Sequence, residues 1–351
     1  MKRRLKVAIL GATGMAGVEY PDLVENHPWF KVSAVCGRKS VGKLYGEAVR
    51  QLKKVPESVA ELEVVEADPK KVDADLVFSA LPSESAREIE GAFAEAGFPV
   101  VSEASAYRMD PDVPLMVPEI NADHLNLVEK QKSRRGGGFI VTTPNCTTVG
   151  LVMPLKPIMD VYGLEKVVVA TYQAVTGAGW PGVPSYSIIG NVIPYIRNEE
   201  PKVEAEAKKI LGSLGDDGIN PARIQVEASC ARVPTIDGHL EAIYLETKRP
   251  VDPKEAAGVL EEFRGPPQEL KLPTAPEKPI IVAREEDRPQ PRFDVMAGSV
   301  PGMSAVVGRI RGGSSPNVLK MFTLSHNRIR GAAGIAVLTA ELLYAQGYLE
   351  V

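Results

Sequence analysis

Covalent and proton-transfer chemistry rests on a short list of side chains, and this chain has few enough cysteines and histidines to weigh one by one. The three cysteines stand at 36, 146 and 230, and the four histidines at 27, 124, 239 and 326. Cys36 lies inside the apolar run KVSAVCG, where a thiol reads as a small packed hydrophobe. Cys146 has different surroundings. It follows FIVTT and Pro144-Asn145, and precedes a segment in which Val152, Leu155 and Met159 recur at helical spacing. The thiol is therefore expected at a strand end and in the first turn of a helix. Free amides and the positive dipole end there favour a thiolate, so the spacing predicts a lowered pKa and a nucleophile.

A second constellation lies at the start of the chain. The apolar strand run LKVAIL meets Gly11-Ala12-Thr13-Gly14-Met15-Ala16-Gly17, and a second strand run, KVSAVCG, follows. Glycines spaced G-x-x-G-x-x-G let a backbone approach a pyrophosphate that rests on a helix N-terminus. Gly11, Thr13, Gly14, Met15 and Gly17 are the expected contacts. About 20 residues on, where an acidic side chain would take the ribose hydroxyl of NAD, the sequence has Arg38, Lys39 and Ser40. An arginine binds a 2′-phosphate that a carboxylate would repel, so Arg38 and Ser40 point to NADP. A thiolate beside a nicotinamide implies one kind of chemistry, interconversion of an aldehyde and a thioester, with phosphate or CoA carrying the acyl group. It needs an acid–base partner. His239, in a turn between two strand-like runs, fits that role, whereas His27 and His124 read as structural.

These groups need a scaffold. Strand-like runs ELEVVEA, DLVFSALP, FPVVSEA and FIVTT alternate with helical or loop segments, which predicts a doubly wound parallel sheet. In such sheets ligands gather at the carboxyl ends of strands. Ser79 to Pro82 (with Ser79 and Leu81 as cofactor contacts), Ser102 to Arg108, and Asn145-Cys146 all fall there. Later runs, VVVATYQAV, RIQVEAS, HLEAIYLETK and MSAVVGRIR, read as an antiparallel or mixed sheet. GSLGDDGINPAR (212–223) and LPTAPEKP (272–279) read as loops. A length of 351 residues fits about two domains, and 44% hydrophobic with 25% charged residues is an ordinary globular composition. A net charge of −4 gives no reason to expect nucleic acid. No apolar run approaches the ~18 residues of a membrane span, and three cysteines without a C-x-x-C pair suit a reducing cytoplasm.

Taken in order, GATGMAG, FSALP, ASAYRMDPDVPL, PNCTT, QAVTGAGWPGVPS, NVIPYIRNEEPKVEAEAKKILG, ASCARVPTIDGH, EEDRPQPRFD and HNRIRGAAG resemble the aspartate-semialdehyde dehydrogenase family of the archaeal and fungal type. The resemblance covers nearly the whole chain. It implies NADPH-dependent reduction of L-aspartyl 4-phosphate to the semialdehyde, a step toward lysine, threonine, methionine and isoleucine. It implies Cys146 as nucleophile, His239 as acid–base group, Gln173 near the reacting carbon and Asn145 beside the thiolate. Arg232 would pair with the substrate carboxylate, Glu206 with its ammonium, and Lys209 and Arg108 with its phosphate. On the same helix face Lys202 stays a solvated residue. Asn327 would approach the nicotinamide amide, with a final helix packing back on the first domain. The expected division is thus a dinucleotide-binding domain at 1–147 plus 327–351 and a catalytic, dimerising α+β domain at 148–326, in a homodimer or homotetramer. Arg288 and Arg292 have no assigned role.

Relatives on the same scaffold reduce CoA thioesters such as malonyl-CoA, and Asn145 before the cysteine favours the acyl phosphate over these. N-acetyl-γ-glutamyl-phosphate reductases usually have glycine there. A non-catalytic NADP-binding sensor would lack part of the catalytic set, which is complete here.

Overall fold

In the computed structural model, residues 3–133, 136–216 and 218–349 are described. Six strands form the first sheet: β1 (Leu5–Leu10), β2 (Phe30–Cys36), β3 (Val64–Val65), β4 (Leu76–Ser79), β5 (Pro99–Ser102) and β6 (Phe139–Thr142). Their order is β3-β2-β1-β4-β5-β6, and every neighbouring pair is parallel. Both faces are covered, so β4 and β6 are buried from end to end and read as continuous apolar runs. The strand order reverses between β1 and β4, and the crevice outside their carboxyl ends is where ligands bind in such sheets. Helix α1 (Ser83–Glu95) starts from that edge.

The glycine loop closes β1 tightly. Gly11 has φ +73°, and a side chain there would stand 2.6 Å from the Ala80 carbonyl. At Gly17 a Cβ would fall 2.2 Å from the carbonyl of Gly11, so the loop folds on itself without room for a methyl group. The amphipathic segment expected after it is short. A 3₁₀ turn at Gly17–Glu19 continues as a helix over only Tyr20–Val24. It stops ahead of His27, whose Nδ1 accepts the amides of Trp29 and Phe30 and steers the chain into β2.

The second half opens with α2 (Cys146–Tyr162), then β7 (Lys166–Gln173), α3 (Glu199–Ile210), a hairpin of β8 (Ser213–Gly215) and β9 (Gly218–Asn220), β10 (Gln225–Arg232) and β11 (His239–Glu246). Helix α4 (Pro253–Glu262), β12 (Ile280–Val282), β13 (Ala305–Gly312), β14 (Val318–Ser325) and α5 (Gly334–Ala345) follow. The second sheet runs β10-β7-β11-β14-β13-β12, parallel at its two edges and antiparallel between, a mixed sheet as expected. The β8–β9 hairpin replaces the loop expected at 212–223, because Leu214 pairs with Ile219 across it; Asp217 lies outside the described residues.

Burial along β7 and β11 alternates residue by residue. One face of the sheet is packed against α2, α3 and α4; the other leaves Val168 and Tyr172 exposed. The C-terminal α5 sends Ile335 into that core but packs mainly elsewhere. Its Ala336, Val337, Leu338, Leu342 and Leu343 belong to the apolar cluster of the first sheet, with Leu5, Ile9 and Phe78. No helix among the described residues is long and apolar enough to cross a membrane.

Candidate active site

Asn145 is the N-cap of α2 and Cys146 its first residue. The Asn145 Oδ1 accepts the amides of Thr147 (2.9 Å) and Thr148 (3.3 Å), which fixes the turn that carries the sulfur. His239, first residue of β11, brings Nε2 to 3.2 Å from the Cys146 Sγ. On the other side of the ring, the Ala174 amide donates to Nδ1 at 3.1 Å. An amide always donates, so the neutral ring carries its proton on Nε2 and aims it at the sulfur. Burial, aided by Arg232, pulls His239 down to about 3, which keeps the imidazole neutral.

The thiol departs from expectation. Burial pushes Cys146 up to about 12, and the Glu199 carboxylate adds to the rise; Arg232, Arg108 and the Thr147 amide pull it down. A helix end contributes about 0.3–1 kcal/mol, less than one unit at ~1.36 kcal/mol per unit, so burial outweighs it. The residue is nonetheless only half-buried and borders a cleft of about 350 Å³.

That cleft runs from Met15 and Ala16 in the glycine loop, past Leu81 and Glu103, to Arg108, Asn145 and Cys146, and is closed by Thr176, Lys202, Asn327, Arg328, Gly331 and Ala332. Its walls sort the sequence candidates. Arg108 reaches it with a guanidinium held by Glu206 (2.8 Å) and by the Glu103 carbonyl (2.6 Å). Arg232, at the end of β10, donates to the Ala174 carbonyl at 2.8 Å, and a Cβ on Gly177 would lie 2.8 Å from its Nη1 and 3.2 Å from the His239 ring. Gln173 is buried beneath the cysteine turn, donating to the Thr147 Oγ1 at 2.7 Å. Asn327 accepts the Gly238 amide and donates to Thr176.

Glu206 and Lys209 stand behind the cleft wall, as Gln173, Arg232 and His239 also do. One Glu206 oxygen takes Arg108 and the other takes the Asn145 amide at 2.7 Å. Lys209 spreads its ammonium over the carbonyls of Arg108, Asp110 and Val113. Burial draws it down to about 8, yet three acceptors ask for all three protons, and the geometry argues for the charged form. Both side chains thus brace the Arg108 loop. The helix turns nearer the sulfur supply another acid and base. Lys202, read from sequence as solvated, lines the cleft, and Glu199 accepts Asn145 Nδ2 at 3.0 Å and Thr147 Oγ1 at 3.3 Å.

For the cofactor, the loop geometry suits a pyrophosphate. A Cβ on Gly14 would meet nothing nearer than the Gly11 carbonyl at 3.4 Å, so its outer side is open, while Gly11 and Gly17 are closed inward. Thr13 faces Gly37 at the end of β2, with Arg38 exposed beside it and Ser40 two residues on. Ser79 does not join them. Its hydroxyl is buried and donates to Glu90 at 2.6 Å, below the strand ends.

The described residues hold no cluster of metal-binding side chains. Residues 6–128 match the model for the semialdehyde dehydrogenase NAD-binding domain, and residues 155–330 that for the semialdehyde dehydrogenase dimerisation domain. The chain belongs to the semialdehyde dehydrogenase family. A relative from Archaeoglobus fulgidus, an aspartate-semialdehyde dehydrogenase, is 53% identical over 97% of this chain and 98% of its own. A malonyl CoA reductase (NADP) from Metallosphaera sedula is 44% identical over 100% and 99%. The crystal structure of aspartate semialdehyde dehydrogenase with NADP from Candida albicans matches with a TM-score of 0.90 and 39% identity, covering 99% of this chain and 100% of that one.

Family motifs without an assigned role also find places. Arg288 pairs with Asp294 and lies over the Phe293 ring, and Pro291 and Val295 pack against Gly238 just before His239. The EEDRPQPRFD motif of this semialdehyde dehydrogenase chain therefore buttresses the histidine turn. Gly331, from HNRIRGAAG, was missed by sequence reasoning: a Cβ there would fall 2.7 Å from that of Cys146.

Proposed function

We propose that this chain reduces L-aspartyl 4-phosphate to L-aspartate 4-semialdehyde with NADPH. The observation that carries it is the Cys146–His239 contact in a cleft that also reaches the glycine loop. The Candida albicans structure contains NADP, and Arg38 at the end of β2 suits its 2′-phosphate. Gly11, Thr13, Gly14, Met15, Gly17, Arg38, Ser40, Leu81 and Asn327 would hold the dinucleotide.

Cys146 gives up its thiol proton to solvent, and Sγ attacks the acyl carbon as a thiolate held by Arg108 and Arg232 and by the His239 Nε2–H. The new C–S bond forms as the C–O bond to phosphate breaks, and phosphate leaves with that electron pair. The single proton taken up overall ends on phosphate. Arg108 and Lys202 are the cations that line the cleft for that anion, with Lys209 behind Arg108; Arg232 would take the substrate carboxylate and Glu206 its ammonium. Bound NADPH supplies hydride to the thioester carbon. His239 keeps Nε2–H on the oxyanion that results, and its collapse to the aldehyde returns Sγ as thiolate. His239 is thus the group that holds a proton at the reacting atoms. Gln173 and Asn145 hold the turn beneath the sulfur.

We also read residues 1–147 with 327–351 as the cofactor domain and 148–326 as the catalytic and dimerising one, in a homodimer or homotetramer in the cytoplasm, where a free thiol persists. The relative from Metallosphaera sedula carries the second reading, reduction of malonyl-CoA. Purified protein decides between them: phosphate-dependent NADP⁺ reduction with aspartate semialdehyde is expected, and turnover of malonyl-CoA alone would transfer the assignment. Cys146→Ser should abolish turnover and Cys36→Ser leave most of it; equal losses would remove Cys146 as nucleophile.

A further inference from the structure

Glu103 is an odd residue to find in a cleft meant for anions. It is the one acid among the described residues that line it, in company with Arg108, Lys202 and Arg328. Its charge would repel the acyl phosphate and every phosphate of the dinucleotide. The backbone fixes its place. Glu103 follows β5 directly, its amide donates to the Ser79 carbonyl at 2.8 Å, and its own carbonyl takes the Arg108 Nη2 at 2.6 Å. The side chain turns toward the glycine loop, where Oε1 accepts the hydroxyl of Tyr20, in the short helix that follows Gly17. Tyr20 is fully buried and stacked on Phe78 with ring centroids 4.7 Å apart, so the carboxyl is held by a fixed group. Its second oxygen has no protein partner among the described residues. A dinucleotide with its pyrophosphate on the glycine loop and its hydride aimed at a carbon on Cys146 must lay the nicotinamide between those two ends. Glu103 stands there, joined to Tyr20 on one side and to Arg108 on the other.

We propose that the Glu103 carboxylate faces the nicotinamide ring and stabilises its oxidised, positively charged form over the reduced, neutral one. This rests on the reading of NADP(H) in this cleft. When hydride passes to the thioester carbon, a C–H bond of the ring breaks, its electron pair leaves with the hydrogen, and the ring is left a cation. An anion beside the ring favours that change, so Glu103 makes bound NADPH a stronger hydride donor. The effect follows pH. Burial pushes the Glu103 carboxyl up to about 7; the Tyr20 hydroxyl and Arg108 pull it down, and the Glu19 carboxylate adds to the rise. Arg328 is occupied by Glu19 and Asp237. Glu90 on α1 also stands at about 7, but it is buried beneath the Ser79 and Ser102 hydroxyls and does not line the cleft. The carboxylate of Glu103 is present above pH 7 and lost below it, so preference for the oxidised cofactor rises with pH through that point.

Equilibrium binding reads this without turnover. The dissociation constant of NADPH is taken from its fluorescence and that of NADP⁺ by displacement. In their ratio the 2′-phosphate, which titrates near about pH 6, is common to both forms and cancels. For the wild type we expect the preference for NADP⁺ to grow about tenfold between pH 6 and pH 8.5. Glu103→Gln keeps an acceptor for Tyr20 and should hold the wild-type acid value, within about twofold, across that range. Tyr20→Phe removes a donor that favours the carboxylate, so the inflection should move up by about half a pH unit or more. A flat wild-type profile, a Glu103→Gln preference that still grows with pH, or an inflection unmoved in Tyr20→Phe would each overturn the proposal. Should Glu103→Gln fail to fold, the wild-type profile and Tyr20→Phe carry the same test. An unchanged preference in Glu103→Gln with a raised KM for aspartate semialdehyde would hand the acid to the substrate ammonium, and the proposal would fall. A wild type that binds neither NADP⁺ nor NADPH would instead remove the cofactor reading, and this proposal with it.

Discussion

At the scale of single residues, the site depends on backbone groups as much as on side chains. The Ala174 amide sets the His239 tautomer, and the absence of a side chain at Gly331 leaves room for Cys146. Gly331→Ala would bring a methyl carbon to 2.7 Å from the Cys146 Cβ and 2.9 Å from its Cα, so the sulfur must shift. A misplacement of about 1 Å costs on the order of 10²-fold in rate. We expect kcat to fall by about that factor, and near-normal turnover would show that the segment yields easily. Glu241 offers a test of stability. It is fully buried on β11, both of its oxygens lack partners among the described residues, and burial raises its pKa well above the carboxylate range. The folded protein thus keeps a proton that the unfolded chain releases above about pH 4.3. A state that binds more protons loses stability as pH rises, so Glu241 costs the fold increasingly between pH 4 and neutrality. Glu241→Gln removes that titration. Its melting temperature should match wild type near pH 4 and exceed it by about 2 °C or more at pH 8. Parallel melting curves across that range would show the carboxyl is already ionised.

Whole elements explain what could be read in advance and what could not. The period of two in β7 and β11, the glycine turn after β1 and the capped cysteine helix were all legible, because each follows from neighbours in sequence. The acid–base pairs on α3 were not. Glu199/Lys202 and Glu206/Lys209 repeat after seven residues, close to two full turns, so both pairs share one face and spacing cannot separate them. Only the tertiary placement of α3 against Asn145 tells them apart: Lys202 lines the cleft and Glu199 takes the Asn145 side chain, while Glu206 and Lys209 hold Arg108 and its loop. Ser79 failed for a similar reason, since a strand end can direct a hydroxyl inward to Glu90 as readily as out to a ligand. The β8–β9 hairpin was hidden by its glycines. At the end of β2, Arg38 is exposed and free to meet a phosphate. Arg38→Glu should raise KM for NADP at least about tenfold while changing that for NAD little; equal shifts would place the 2′-phosphate elsewhere.

For the molecule as a whole, buried ion pairs stitch the last segment to the rest. Arg330 and Glu119 form a two-pronged pair at 0% exposure, and Glu341 takes His27 and the Thr274 amide. Breaking such a pair on one side costs about 3–5 kcal/mol. The second sheet faces the other way. Its open side carries Val168 and Tyr172, and in the same half of the chain Tyr186 is 98% exposed and Ile189 73%. Apolar area of this kind within a dimerisation domain is what a second copy would cover. Val168→Asp with Tyr172→Asp should therefore halve the mass measured by light scattering; an unchanged mass would put the interface on another face.

The residues that close over Cys146 (Asn327, Arg328, Gly331 and Ala332) come far later in the sequence than the sulfur they cover. A growing chain therefore makes its nucleophile long before it makes the cover. Until those late residues are synthesised and docked, the thiol sits in a half-built pocket, open to water and to oxidants, and no partial product of translation can be a working enzyme.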